Sequence, residues 1–185
     1  GMTARENIIA FSKLQGLHDF SHTEDLLELV GLTHTGKKKC RNFSLGMKQR
    51  LAIAIALIGD PELLILDEPF AALDPSHVHI IRDMIRDLEK DSSPSGPLTV
   101  VIATHDTDFA LEWADEVILF SEGQVMAQGA PASVLTDREL LARASLDLPG
   151  VIKVFESLQA AGLLGADLPA PKHLDQLTDY IRHTV

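Results

Sequence analysis

Four consecutive aliphatic residues, Leu63 to Leu66, run straight into two acids, Asp67 and Glu68. A strand with one wet face alternates apolar and polar residues. Unbroken apolarity instead marks a strand of a parallel sheet covered on both faces. Leu98 to Ala103 is a second such run. Between the two, Val78, Ile81, Ile85 and Leu88 recur at helical spacing over 76–90, with charges between them. Strand, helix and strand in that order make the unit of a layered α/β fold. The carboxyl ends of strands in such sheets are where ligands are presented, and Asp67 and Glu68 stand at one of those ends.

Other segments extend this pattern. Residues 4–18 and 23–30 read as helices, on Ile8, Ile9, Phe11 and Leu14 and then on Leu26, Leu27 and Val30. Ser21, His22 and Thr23 offer a cap to the second, and Gly31 a stop. After a basic loop at 36–41, Ser44 is placed to cap a helix from Leu45 to about Ile58, which Asp60 and Pro61 break. Residues 92–97 read as a loop, 106–113 as a helix and 116–120 as a third strand. A turn at 121–124 leads into a short strand at 125–128, so the last two strands form a hairpin. Beyond Pro131 the pattern is helical over 131–136, 137–145, 149–161 and 172–183. The expected organisation is a helical subdomain at 3–60, a strand-bearing core at 61–130 and a helical extension at 131–185.

A chain of 185 residues is long enough for one well-cored domain. Its formal charge of −11 argues against nucleic acid or anionic lipid as an electrostatic partner. The single cysteine, Cys40, forms no internal disulfide and fits a reducing compartment. Lys37, Lys38, Lys39 and Arg41 would lower its pKa if they faced it, but an inert surface thiol is the simpler reading. No apolar run approaches the ~20 residues of a membrane span, and no signal peptide pattern opens the chain. The chain therefore reads as cytosolic. His18, His22, His34, His77, His79, His173 and His183 lack Cys or Glu partners at metal-ligand spacing, so no zinc site is expected. Phe109, Leu111 and Trp113 read as core, and 37–41 as a solvated face.

Two adjacent acids at a strand end suit a divalent cation and the activation of a water. Ser44, Leu45, Gly46 and Met47 open a helix whose N-terminus offers unpaired N–H donors and a positive dipole end to an anion. Leu73, Asp74 and Pro75 form a tight acidic turn of type I. His105 follows the second apolar strand.

This order, Phe43 to Met47, then Leu63 to Pro69, then Leu73-Asp74-Pro75, then His105, resembles the ATP-binding subunit of ABC transporters over about residues 3–145. The resemblance implies a P-loop NTPase-like parallel sheet flanked by helices, with an N-terminal helical subdomain. It implies that Ser44, Leu45, Gly46 and Met47 are the signature that grips the γ-phosphate of an ATP held by the opposite subunit. Asp67 would hold Mg²⁺, Glu68 would polarise the attacking water, and His105 would donate to a γ-phosphate oxygen. Asp74 would cross the dimer interface toward the partner's phosphate loop. The cofactors implied are ATP and Mg²⁺. The partners implied are a transmembrane permease subunit and a second nucleotide-binding subunit, with no nucleic acid. The location implied is cytoplasmic, on the inner face of the cell membrane through the permease. The usual signature is Leu-Ser-Gly-Gly-Gln, so Phe43, Leu45 and Met47 depart from it.

No Gly-x-x-x-x-Gly-Lys-Ser/Thr phosphate loop occurs among the 185 residues. In the family's order the Walker A strand, its loop and its helix would precede residue 3, so the fold expected is a core truncated before that strand. One charge pair at 4 Å in an effective dielectric of 20 is worth ~4 kcal/mol before desolvation. Without the loop's Lys and its nest of N–H groups, affinity is expected to fall by several tenfold steps. The isolated chain is thus expected to bind ATP poorly and hydrolyse it negligibly. In the family's sheet the phosphate-loop strand separates the 98–103 and 116–120 strands. These two are expected to close up, stay unpaired or borrow a strand, and an oligomer or swapped arrangement is expected.

For the transported substrate, residues 26–73 resemble ATPases of bacitracin- and lantibiotic-type exporters. Residues 98–161 are similar to ATPases of cobalt and nickel importers, through Ala103 to Asp108, Glu112 to Val117 and the tail Leu146 to Leu158. The distinctive tail favours metal-ion import. An ATPase of a peptide-antibiotic exporter and a non-catalytic interaction module are the alternatives. ABC-type ATPases of DNA repair would want heptad arms or a basic face, and the sequence has neither.

Overall fold

A computed structural model describes residues 1–71, 73–90 and 98–184. The chain divides into two compact units, 1–103 and 104–185, a division that falls inside the expected 61–130 core. The loop expected at 92–97 lies outside the described residues.

The first unit holds α1 (Ala4–Leu14), α2 (His22–Leu29), α3 (Leu45–Ala56), β1 (Leu63–Asp67), α4 (Pro75–Lys90) and β2 (Thr99–Ala103), with short 3-10 turns at Thr33–Thr35 and Cys40–Asn42. A reciprocal capping box opens α1. Thr3 Oγ1 accepts from the Glu6 N–H at 3.2 Å, and the Glu6 carboxylate accepts from the Thr3 N–H at 2.6 Å. The bond from the Thr3 backbone, followed by that from Lys39 at 3.1 Å, holds the Glu6 carboxyl below its ordinary range. A Thr3–Lys39 bridge joins the same two segments, so the basic loop is tied to the start of the first helix.

Helix α1 ends at Leu14 rather than near 18, because the chain turns at Gly16 with φ +81°. Ser21 precedes α2 but makes no side-chain cap. Its hydroxyl donates instead to Asp19 at 3.0 Å, a local bond that competes with capping. Gly31, at φ +63°, follows the end of α2 as expected. Arg50 of α3 reaches back there, donating to the carbonyls of Val30 at 3.1 Å and Gly31 at 3.3 Å. These bonds occupy acceptors that a helix C-terminus otherwise leaves open.

Strands β1 and β2 pair in parallel, with Leu63 opposite Thr99 and Asp67 opposite Ala103. The parallel pair and its helices make the fold α/β. Both faces of β1 are apolar, yet only one is covered. Leu64 is 2% exposed, whereas Leu63 is 50% and Ile65 65% exposed, beside Val101 at 47%. Full burial on both faces, expected from the unbroken run, does not hold among the described residues. A parallel sheet of two strands leaves the second face open.

The second unit holds α5 (Thr107–Trp113), β3 (Val117–Ser121), β4 (Gln124–Gly129), α6 (Pro131–Val134), α7 (Arg138–Arg143), α8 (Gly150–Ala160) and α9 (Leu174–Thr184). The expected hairpin is present. Glu122 and Gly123 both take positive φ, +51° and +75°, the backbone a tight hairpin turn requires. Leu111, Leu135, Leu141, Ile152 and Phe155 form the centre of this unit's core. Phe109 and Leu111 are buried as expected, and Trp113 stacks on Phe109 at 5.4 Å. Two bonds tie α5 to the lead-in of α8: Thr107 Oγ1 to the Asp147 carbonyl at 3.0 Å, and the Gly150 N–H to Asp108 at 2.7 Å.

Strand β2 pairs with β1 within the first unit, and β3 with β4 within the second. No described helix is long and apolar enough to cross a membrane.

Candidate functional site

Ser44 stands in extended backbone immediately before α3, and its Oγ accepts from the Met47 N–H at 3.3 Å. A hydroxyl that accepts this bond keeps its own proton to donate outward. The N–H groups of Leu45 and Gly46, in the first turn, have no acceptor inside the helix. Phe43 anchors this start at 5% exposure, while Leu45 is 47% exposed with its side chain outward. The departure from glycine at 45 therefore leaves the N–H donors clear. Lys38 lies alongside, 5.8 Å above the Phe43 ring and 3.8 Å from Met47 Sδ, and remains exposed, as the solvated-face reading expects.

Asp67 is the last residue of β1 and is exposed; Glu68, next to it, is half-buried. The Glu68 N–H donates to the Ala103 carbonyl at 2.9 Å, extending the ladder by one residue. Glu68 then turns to φ +42°, a left-handed conformation costing about 1–2 kcal/mol in a residue with a Cβ. The ladder bond on one side holds it, and on the other the Ala71 N–H, which donates to the Glu68 carbonyl at 3.1 Å. Strained backbone of this kind concentrates at functional positions.

Asp74 caps α4, with Pro75 in the first helical position. The turn at 74–75, expected as type I, thus runs directly into the helix. Asp74 Oδ1 accepts from the Ser76 N–H at 3.1 Å, the Ser76 hydroxyl at 2.5 Å and the His77 N–H at 3.2 Å. Its Oδ2 accepts from His77 Nδ1 at 2.5 Å. Ser76 first, then His77, hold the carboxyl down to about 2. The His77 ring in turn lies against α3: a Cβ at Gly46 would sit 2.6 Å from His77 Cδ2.

The fold therefore gathers Ser44, Leu45, Gly46, Met47 and Asp74 at one locality, with His77 between the helix start and the acid. Asp67 and Glu68 occupy the end of β1 in the same unit. His105 belongs to the second unit, on an exposed bend. The backbone there is set by Thr104, whose hydroxyl accepts from the Asp106 N–H at 3.2 Å, and by Asp106, which caps α5 through the Phe109 N–H at 2.9 Å.

His77, which has no metal-ligand spacing in the sequence, is the residue the pattern of histidines did not single out. The pattern Asp-x-x-His at a helix start was its available signal, since an N-cap acid and the residue three on lie within reach. Cys40 takes the inert reading. Burial pushes its thiol up, more than the Asn7 amide, 3.2 Å away, brings it down.

Among the described residues no three His, Cys, Asp or Glu side chains gather as a metal site. One carboxylate at a strand end nevertheless suits Mg²⁺, which is commonly held by one or two carboxylates together with substrate phosphates. The donor set at Ser44 and the α3 N-terminus is likewise the chemistry of an anion clasp.

The family model for ABC transporters matches residues 1–71. The energy-coupling factor transporter ATP-binding protein EcfA of Carboxydothermus hydrogenoformans is 38% identical over 142 residues, covering 77% of this chain and 50% of that protein. The bacitracin transport ATP-binding protein BcrA of Bacillus licheniformis is 41% identical over 127 residues, covering 69% and 40%. Among solved structures, cbiO1 from Clostridium perfringens, part of the ABC transporter complex cbiONQ, superposes with a TM-score of 0.63 at 30% identity. That superposition covers 84% of this chain and 61% of the other. The chain spans about 30–50% of the length of the curated relatives it matches. Fold and relatives agree that the chain belongs to the ABC transporter ATP-binding family.

Proposed function

We propose that this chain supplies the signature-bearing half of a nucleotide site in an ABC-type transporter ATPase, clasping an ATP whose phosphates are cradled by a second nucleotide-binding subunit. The observation that carries the reading is the Ser44-capped start of α3, with an outward hydroxyl, open N–H donors and the Asp74 turn beside it. In this role Ser44 Oγ and the N–H groups of 45 and 46 donate to the γ-phosphate. Asp67 would hold Mg²⁺, which when bound offsets phosphate charge. Glu68 orients and polarises a water from its fixed turn, and His105 donates to a phosphate oxygen. Asp74 reaches toward the second subunit's phosphate loop.

The 185 residues contain no phosphate loop of their own. We therefore assign turnover to the assembly and not to the isolated chain. Metal-ion import of the cobalt and nickel type is the preferred transport role, supported by the EcfA and cbiO1 likenesses. The 41% identity to BcrA keeps a peptide-antibiotic exporter as the second reading. Either role places the chain on the cytoplasmic face of a membrane through a permease subunit.

The test is association of the fluorescently labelled chain with an intact ABC ATP-binding subunit that carries a phosphate loop, measured with and without MgATP. The expected result is tighter association with MgATP, weakened about tenfold or more in Ser44→Ala, since a charge-assisted bond is worth roughly 1.5–3 kcal/mol. Association indifferent to both nucleotide and Ser44 would sink the reading.

A further inference from the structure

Resting on the clasp just described, we propose that His77 is a positioning residue: its imidazole fixes the Asp74 turn against the start of α3, so that the acid and the Ser44 clasp are presented as one rigid edge. Two observations carry this, and they concern opposite sides of one ring. On one side, Nδ1 lies 2.5 Å from Asp74 Oδ2. The carboxylate is an acceptor only, so Nδ1 bears the proton and donates it. On the other side, the Cδ2 edge of the ring occupies the space where a side chain at Gly46 would stand. A Cβ built there would sit 2.6 Å from Cδ2, 3.1 Å from Cγ and 3.4 Å from the His77 Cβ. Real Cβ atoms do not approach that closely, so glycine at 46 is the residue that admits the ring.

The pair is selective for histidine. An aliphatic side chain would fill the space over Gly46 without a donor for Asp74, and an amide would keep a donor while filling less of the space. The second carboxylate oxygen is already engaged by the Ser76 and His77 N–H groups and by the Ser76 hydroxyl. The α4 cap therefore survives loss of the imidazole, while the link to α3 does not. Gly46 and His77 are 31 positions apart in sequence, so this contact sets tertiary geometry at the clasp and not local helix propensity.

The experiment is the MgATP-dependent association assay with the 185-residue chain and a phosphate-loop-bearing ABC subunit. It is run on wild type, His77→Leu, His77→Asn, Gly46→Ala and, as a control, Ser44→Ala, with a thermal melt of each. His77→Leu is expected to weaken nucleotide-dependent association about tenfold while its melting temperature stays within a few degrees of wild type. His77→Asn, which restores the donor but not the contact over Gly46, is expected to recover part of that loss. Gly46→Ala is expected to match His77→Leu, because the new methyl displaces the ring. Equal association for wild type and His77→Leu, with Ser44→Ala impaired, overturns the positioning role and leaves the clasp standing. If Ser44→Ala also behaves as wild type, the clasp itself is wrong and the role of His77 falls with it. A loss in His77→Leu that His77→Asn does not recover overturns the claim that the Asp74 bond is what matters.

Discussion

Asp74 is the residue whose electrostatics can be read in solution. Bonds from Ser76 and His77 hold its carboxyl at about 2, below the ordinary carboxylate range. A depressed value means the folded chain favours the ionised form, so this stabilisation is complete above the unfolded value and is lost as pH falls through about 2. Thermal melts of wild type and Asp74→Asn between pH 5 and pH 2 are expected to converge as pH drops. A gap that stays constant across that range would contradict the assignment. Ser44 carries a parallel expectation for stability: its removal costs α3 a cap worth about 1 kcal/mol. Ser44 was legible in the sequence because capping is local, a serine followed by a helix-forming run. The Gly46–His77 contact was not, because it joins residues brought close only by folding. His77 looked like one histidine among several with no metal partners.

At the scale of elements, the apolar tetrad at 63–66 identified a parallel strand and located its two acids at the carboxyl end. It did not tell how many faces would be covered, because burial belongs to the neighbours and not to the strand. Ile65 at 65% exposure and Val101 at 47% form a bare apolar face on a two-stranded sheet. Open sheet edges and exposed apolar faces favour association. Light scattering of the 185-residue chain is therefore expected to detect species larger than a monomer, and Ile65→Lys with Val101→Lys to reduce them. A monodisperse wild-type monomer would contradict this. The helix starts divide in the same way. Thr3, Ser44, Asp106 and Asp137 cap their helices through their side chains. Ser21, in the same kind of sequence context, was drawn off by Asp19 two residues before it. Competition between two local bonds of similar strength is beyond what a pattern resolves.

For the whole molecule, the resemblance in the sequence and the similarity to ABC ATP-binding proteins agree on family and fold. The relatives include an energy-coupling factor transporter ATP-binding protein and a bacitracin transport ATP-binding protein. The cargo was not legible, because a fold alone does not assign it. The division into units 1–103 and 104–185 was not legible either. It falls within a run of alternating strands and helices that reads as continuous. The central claim is that these residues hold half of a nucleotide site, the clasp and the acids without the phosphate cradle. Calorimetric titration of MgATP into the isolated 185-residue chain tests it most directly. The account predicts no saturable heat at micromolar nucleotide, and stoichiometric micromolar binding would contradict it.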